Sequence, residues 1–319
     1  DWLDRLGMDV PTTYDEFIEM LTRFKNEIPE CTAPYTAPGL KSTQALPEFY
    51  QGATADYVKV DGKWVDGMAQ DNMLTALQNL QDAYTAGLID QEAITNTTSS
   101  CRDEWYAGTV GCFPYWGGLW GETLTVRLKQ NVPDAEVIAL PPIEGATYLY
   151  SAPSVQVISS KLSDEQVASV YKYFIEYMHD GGEGQVLFQS GVEGVHWQQS
   201  GNNIDPLPTI SKPAEAFRKA WITPWLALTP MTATDKNVEV SQEVTDSLAV
   251  VSANAKNISV FPVSEQRTMI TSDLTTTREN IISRVAMGQL TPEEGMAEYK
   301  AQAETLNVAQ ALEEMNANA

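Results

Sequence analysis

The chain has 319 residues, 43% of them hydrophobic, and its 20 basic and 43 acidic side chains give a formal charge of −23. That length allows a sizeable core in one or two domains. The scarcity of Lys and Arg argues against nucleic acid and anionic membrane surfaces, because both need clustered cations.

The opening "DWLDRLGMDVPTTYDEF" is helical in pattern and has no signal-peptide character. Thr13 and Glu16 form a capping-box pair, and Phe17, Leu21, Phe24 and Ile28 follow on one helical face. A loop with Pro34, Pro38 and Gly39 comes next. "DNMLTALQNLQDAYTAG" reads as a second amphipathic helix, with Leu74, Leu77, Leu80 and Tyr84 inward and Gly87 at its end. A Thr/Ser-rich loop leads to "CRDEWYAG" and then to "GCFPYWGGLWGE". "AEVIALPP" reads as a buried strand stopped by Pro141 and Pro142.

"SVQVISS" alternates like a strand, and "SDEQVASVYKYFIEYMHDGG" reads as a helix capped by Ser163 and Gln166, with Val167, Val170, Phe174 and Met178 inward. "GQVLFQSGVEGVHW" predicts a short helix and a turn, followed by a loop from about Gln198 to Pro230. The remainder is helical. Val240, Val244, Leu248 and Val251 mark one helix, and Ile270, Leu274, Ile281 and Val285 a longer one. Gly288 then ends that helix, and Thr291, Pro292 and Glu294 start another. The class is a helix-rich α/β protein with few strands.

Several chemistries lack their motifs. No phosphate loop of the form G-x-x-x-x-G-K-[ST] occurs, "GGEGQVLF" lacks the preceding strand of a dinucleotide site, and "FQSGV" has only half of a serine elbow. His179 and His196 are the only histidines and stand far apart, and His179 reads as a helix-end residue facing the C-terminal dipole. No metal or cofactor is expected. Glu193, between glycines and beside His196 and Trp197, is the best single carboxylate for glycoside hydrolysis, but as an isolated signal it suits a solvated or hydrogen-bonded structural role better. Cys31, Cys101 and Cys112 lack zinc spacing. Cys101 and Cys112 form a disulfide only if their segments run antiparallel.

The aromatic residues fall in patches, with Tyr115, Trp116 and Trp120 in one, Tyr148 and Tyr150 in another, then Trp197, then Trp221 and Trp225. Most accompany Gly or Pro, which places them in loops, where binding residues concentrate. Flat rings stack on the apolar faces of sugars, while Asp, Glu, Asn or Gln meet sugar hydroxyls. "YWGGLWGE" and "EGVHWQQSGNN" supply both kinds. The competing reading is that the rings pack under irregular loops.

These segments, in this order, resemble the extracellular solute-binding proteins of bacterial ABC importers, of the maltodextrin-binding-like carbohydrate class. "DWLDRLGMDVPTTYDEFIEMLTRFK" resembles the "Leu-Gly" turn and "P-x-T-x-x-E" helix start of that family. "EWYAGTVGCFPYWGG" resembles its "F-x-x-G-x-x-A-M" element running into a ligand-facing Trp, at Trp116 here. "NVPDAEVIALPPIEG", "VISSKLSDEQVASVYKYFIEYM", "SGVEGVHW" and the tail "RENIISRVAMGQLTPEEGMAEYKAQAETL" resemble successive later elements, the third being typical of the lipoprotein branch.

The resemblance implies a type II periplasmic-binding-protein fold of two lobes around a cleft. Residues 1–144 and 205–319 would form the second lobe, and 145–204 a remnant of a first lobe that is incomplete in this chain. It further implies a non-enzymatic, monomeric, extracellular lipoprotein, anchored through a segment absent from this chain, that delivers a sugar or oligosaccharide to permease subunits. The alternative is a carbohydrate-active enzyme using Glu193. Expected ligand contacts are Tyr115, Trp116, Trp120, Tyr150, Glu193, His196, Trp197 and Trp225, with either Trp116 or Trp120 as the main stacking ring. The glycines of "FPYWGGLW" would turn the loop tightly and let ligand approach the backbone.

Overall fold

The computed structural model describes residues 1–41, 45–150, 157–207 and 231–319. It divides into two compact units, residues 1–152 with 243–319, and residues 153–242. The unit boundaries fall at 152/153 and 242/243.

The first unit opens with α1 (Trp2–Leu6) and α2 (Tyr14–Glu27). The Thr13–Glu16 capping box forms as the sequence predicts, and Phe17, Met20, Leu21 and Phe24 are buried. The stretch read as a proline loop holds a strand, β1 (Ala33–Tyr35). The short helix α3 (Pro47–Tyr50) follows, then the hairpin β2 (Tyr57–Val60) and β3 (Lys63–Asp66). The hairpin turns on Asp61 and Gly62, both at positive φ, as its two-residue loop requires. Next come α4 (Asn72–Thr85), α5 (Thr98–Ala107), β4 (Val110–Cys112) and α6 (Leu119–Asn131). The Thr/Ser-rich stretch is not only a loop. Thr97 caps α5 and exchanges hydrogen bonds with Ser100, so the hydroxyls start a helix.

"AEVIALPP" forms no strand. Residues 135–140 pair with no strand among the described residues and Ile138 is 56% exposed, so this apolar run stays coil. β5 (Leu149–Tyr150) closes this part of the unit.

The described residues of the second unit bury few apolar side chains. α7 (Asp164–Val170) has its Ser163–Gln166 capping box but continues into wider π-helical turns at Tyr171–Glu176. The expected inward face is largely exposed: Val170 is 36% exposed and Phe174 46%, and only Met178 is buried. Helical periodicity marks an apolar stripe, and the described residues cover this one only in part, through the edge-to-face contact of Phe174 with Phe188 at 5.3 Å. α8 (Glu183–Ser190) and the hairpin β6 (Trp197–Ser200) with β7 (Asn203–Pro206) enclose a small core of Val186, Trp197 and Ile204. Residues 154–156 of "SVQVISS", together with Trp221 and Trp225, lie outside the described residues; its described part, 157–160, is not a strand, and Val157 is 86% exposed.

The chain returns to the first unit in α9 (Gln242–Asn254), β8 (Lys256–Asn257), α10 (Glu265–Ala286), α11 (Pro292–Thr305) and α12 (Val308–Ala317). Val240 precedes α9 and is exposed, whereas Val244 is fully buried. Ile270, Leu274, Ile281 and Val285 face the core as expected, and α11 starts on the Thr291–Glu294 box.

One large core joins α10, α11 and α12 to α2, α3 and α4, with the edge-to-face rings of Phe17, Tyr35 and Phe49 within it. A buried polar lock ties the hairpin to it. Arg278, on α10, donates to Asp66 at 2.8 Å and Asp56 at 3.1 Å, and the Tyr299 hydroxyl donates to Asp66 at 2.6 Å. The pairing within sheets is slight: β1 with β4 and β5 with β8 run parallel, and β2–β3 and β6–β7 are antiparallel.

Candidate functional site

Three parallel strand segments of the first unit end side by side. β4 pairs with β1 on one side, and a single bridge joins Tyr35 to Ile89 on the other. The residues just past these ends are Thr36, Asp90 and Phe113. In α/β sheets this carboxyl edge is where ligands bind, because loops leave it in diverging directions and open a crevice.

A hydrogen-bond network occupies the edge. The buried Thr36 hydroxyl lies 2.7 Å from Glu104 Oε2 and 3.2 Å from Asp90 Oδ2. Asn96 Nδ2 donates to Asp90 Oδ2 at 2.5 Å and to Glu104 Oε1 at 3.3 Å. The backbone N–H of Glu92 donates to Asp90 Oδ1 at 3.0 Å. The two carboxyls share the same hydroxyl and amide donors. Burial raises the pKa of Glu104 and the neighbouring Asp90 charge adds to this, so Glu104 holds its proton more tightly than a free carboxyl.

Helix α5 connects this network to the aromatic segment. Its Cys101 and Glu104 face Thr36, while Arg102 and Trp105 reach the rings. Trp105, Phe113, Tyr115 and Trp120 form a continuous ladder, with successive centroids 6.1, 4.8 and 5.0 Å apart. Arg102 donates to the Tyr115 hydroxyl at 3.2 Å and stands 5.3 Å over Trp120, holding both rings. The Trp105 indole N–H is buried with no hydrogen-bond partner among the described residues.

Trp116, next after Tyr115 in the chain, is 68% exposed. The neighbouring glycines serve the tight turn read from the sequence and also a close fit to α9. A Cβ on Gly117 would lie 3.0 Å from Val251 Cγ2, and one on Gly121 would lie 3.3 Å from the Glu243 carbonyl oxygen. Gly118 sits at φ 72° and ψ −131°. The glycines fit the loop onto α9, leaving the bulky residues on its other side.

The other expected contacts are scattered. Tyr150 is 48% exposed at the end of β5. Glu193 is exposed and His196 half-buried on a turn of the second unit, where His196 Nδ1 accepts from the Val192 N–H at 2.9 Å. Trp197 is not a free stacking surface: it is 3% exposed in the second unit's core, and its indole N–H donates to the Gly191 carbonyl at 2.9 Å. Trp225 lies outside the described residues.

Trp105, Phe113, Arg102 and the Thr36 network were not among the expected residues. The only sequence signal for them is that "CRDEW" sets Cys101, Arg102, Glu104 and Trp105 on adjoining faces of one helical turn or so. The three cysteines are unbridged, so the disulfide left open for Cys101 and Cys112 is not formed. Burial pushes the Cys31 and Cys101 thiols up to about 11 each and the Cys112 thiol higher still, which makes all three poor nucleophiles.

The fold is that of the periplasmic solute-binding proteins of ABC transporters, helix-rich with small sheets. An alginate-binding protein, AlgQ2 without calcium ion, superposes with TM-score 0.68 at 16% identity, over 99% of this chain and 70% of that one. The S. pneumoniae ABC-transporter substrate-binding protein FusA in complex with kestose gives 0.66 at 17% identity, over 99% and 69%. An HMO-binding, ABC-transporter-associated solute-binding protein of Bifidobacterium longum infantis gives 0.65 at 15%, over 99% and 71%. In sequence, the lipoprotein LipO of Bacillus subtilis (strain 168) is 21% identical over 215 residues, 62% of this chain. That match spans 43% of LipO, less than half its length. No family model matches the chain.

Proposed function

We propose that this chain captures a sugar or oligosaccharide outside the cell and delivers it, chemically unchanged, to the permease of an ABC importer. The observation that carries this reading is the ring ladder Trp105–Phe113–Tyr115–Trp120, with exposed Trp116 next to Tyr115 in the chain, set beside the Thr36–Asp90–Asn96–Glu104 network at a parallel-strand edge. Rings offer stacking faces, and the carboxyl oxygens accept from hydroxyls. Such a site binds and orients. The fold it sits on is shared with proteins whose ligands include alginate and kestose.

Tyr115, Trp116 and Trp120 are the principal proposed contacts and Tyr150 a further one. Glu193 and His196 are carried as separate candidate contacts on the second unit. The proposed partners are permease subunits, with the receptor itself monomeric. The likeness to LipO supports a lipid-anchored, cell-surface location. The enzyme alternative through Glu193 has little behind it, since that residue is exposed on a turn and the similar structures are binding proteins. Thermal shift against a glycan panel tests the proposal. A rise in Tm with an oligosaccharide, which is recovered uncleaved, is the expected result. Stabilisation by peptides or amino acids alone would overturn it.

A further inference from the structure

The loop that carries Trp116 and Trp120 rests on one helix, α9, through contacts that leave no slack. The Gly118 N–H donates to Ser247 Oγ at 2.8 Å, and Ser247 Oγ in turn donates to the Val244 carbonyl at 3.0 Å. On either side of this bond Gly117 meets Val251, and Gly121 meets both the Glu243 carbonyl and Ser247 Oγ. Ser247 is therefore a polar pin between two backbone close approaches.

The same helix is tied to both chain crossings between the units. Its first residue, Gln242, is the last of the second unit. Its far end runs straight into β8, which pairs with β5 just before the chain leaves the first unit at 152. There the Lys256 N–H donates to the Tyr148 carbonyl at 2.9 Å and the Ile258 N–H to the Tyr150 carbonyl at 3.0 Å. A loop pressed on α9 cannot shift without pushing on a helix whose two ends hold these crossings.

We infer that Ser247 is the positioning residue of the ring platform, and that α9 transmits the platform's position to the two inter-unit crossings. This rests on the sugar-capture reading for its ligand, but not for the seat itself. Ser247 touches the loop backbone rather than the ligand, so its effect is on where the rings stand.

The test compares Ser247→Ala, which removes the pin, with Ser247→Thr, which keeps a hydroxyl. Without ligand, the change in acrylamide quenching caused by Trp116→Phe reports the exposure of that ring. In the Ala background this difference should change, and in the Thr background it should match the unmodified protein. With kestose, laminaribiose and an alginate trisaccharide as probes, Ala should weaken the tightest by about threefold to tenfold, as loss of one hydrogen bond implies. Thr should restore it. Hydrogen exchange should show that probe slowing the amides of 148–150 and 256–258 in the unmodified protein, and less so in Ser247→Ala. Unchanged quenching and affinity in Ser247→Ala would overturn the pin. Equal losses in Ala and Thr would reduce Ser247 to packing. Protection confined to the ring loop would overturn transmission through α9. If no probe binds, the sugar reading fails and transmission falls with it, while the quenching arm still decides the seat.

Discussion

The first unit is built around a continuous aromatic and aliphatic core that joins six α-helices, α2, α3, α4, α10, α11 and α12, whereas the described part of the second unit has a small apolar cluster of Val186, Trp197 and Ile204. Both contain capped helices of similar quality, and the Ser163–Gln166 box of α7 is as complete as the Thr13–Glu16 box of α2. The difference lies in what the helices meet. The apolar residues of α2 pack against rings and are fully covered, while Phe174 and Tyr173 stand 46% and 71% exposed. Local signals start a helix, but burial of its stripe depends on partners far away in sequence.

The largest expected effect sharpens this contrast in the first unit. Asp66→Ala leaves Arg278, itself almost fully buried, without its 2.8 Å partner and removes the acceptor of Tyr299. Breaking a buried pair on one side costs about 3–5 kcal/mol, because the remaining charge is left uncompensated. Urea unfolding should show a loss of that size. A loss under 1 kcal/mol would mean that Asp56 or water replaces the pairing, and that the hairpin is not locked as described.

A somewhat smaller loss is expected in the second unit. Trp197→Ala removes the largest member of its small core and the indole bond to Gly191, for about 3 kcal/mol, the low end of the range for large rings because a small cluster relaxes readily. Amide exchange across 183–206 should accelerate while the core amides of α4 and α10 keep their protection. Uniform acceleration through both units would show that they unfold as one, and the comparison would collapse.

The contrast also explains what was readable beforehand. Helix starts were legible because a cap needs only residues three apart, as at Thr13, Ser163 and Thr291. The long α10 was legible from its period. β1 was not, because three residues at the start of a proline-containing stretch carry no periodic signal, and pairing with residues 110–112 and the bridge to Ile89 make them a strand. "AEVIALPP" failed in the opposite way: it has strand composition but no partner. The aromatic segment could be singled out by its composition, yet the fit of its glycines onto α9 could not, since that helix lies more than 120 residues later. The same holds for the Thr36 network, whose members lie up to 68 positions apart.

Within the site, Trp116→Ala separates binding from packing. An exposed ring that stacks on a ligand is expected to contribute ~1–3 kcal/mol to affinity, so binding should weaken roughly tenfold or more. Stability of the free protein should stay within about 0.5 kcal/mol, as for other surface substitutions. Calorimetric titration paired with a thermal melt reads both. A variant that melts early but binds normally would return Trp116 to a structural role, and the platform would lose its main surface.

The smallest effect concerns Glu48, buried in the first unit between two tyrosines. The Ile143 N–H donates to the Tyr148 hydroxyl at 3.1 Å, leaving that hydroxyl to donate to Glu48 Oε1 at 2.9 Å. Tyr35 Oη lies 3.0 Å from the Ala45 carbonyl and 2.9 Å from Glu48 Oε2, but a phenol has one proton to give. If Glu48 is protonated the arrangement closes, with the carboxyl donating to Tyr35 and Tyr35 to Ala45. Burial pushes the Glu48 pKa in the same direction, upward. The folded state then binds more protons than the unfolded one above the ordinary glutamate range of about 4.3, so stability falls as pH rises from there through the folded pKa. Glu48→Gln keeps a donor and an acceptor in place of the neutral acid. At pH 4 it should lie within about 1 kcal/mol of the unmodified protein, the scale of one exchanged hydrogen bond. Its advantage should grow toward neutral pH, where the glutamate bears its penalty. Urea unfolding at a series of pH values measures the difference directly. A Gln variant that becomes relatively less stable as pH rises would mean that Glu48 is held as a carboxylate, and that the first unit's core accommodates a buried negative charge between its tyrosines.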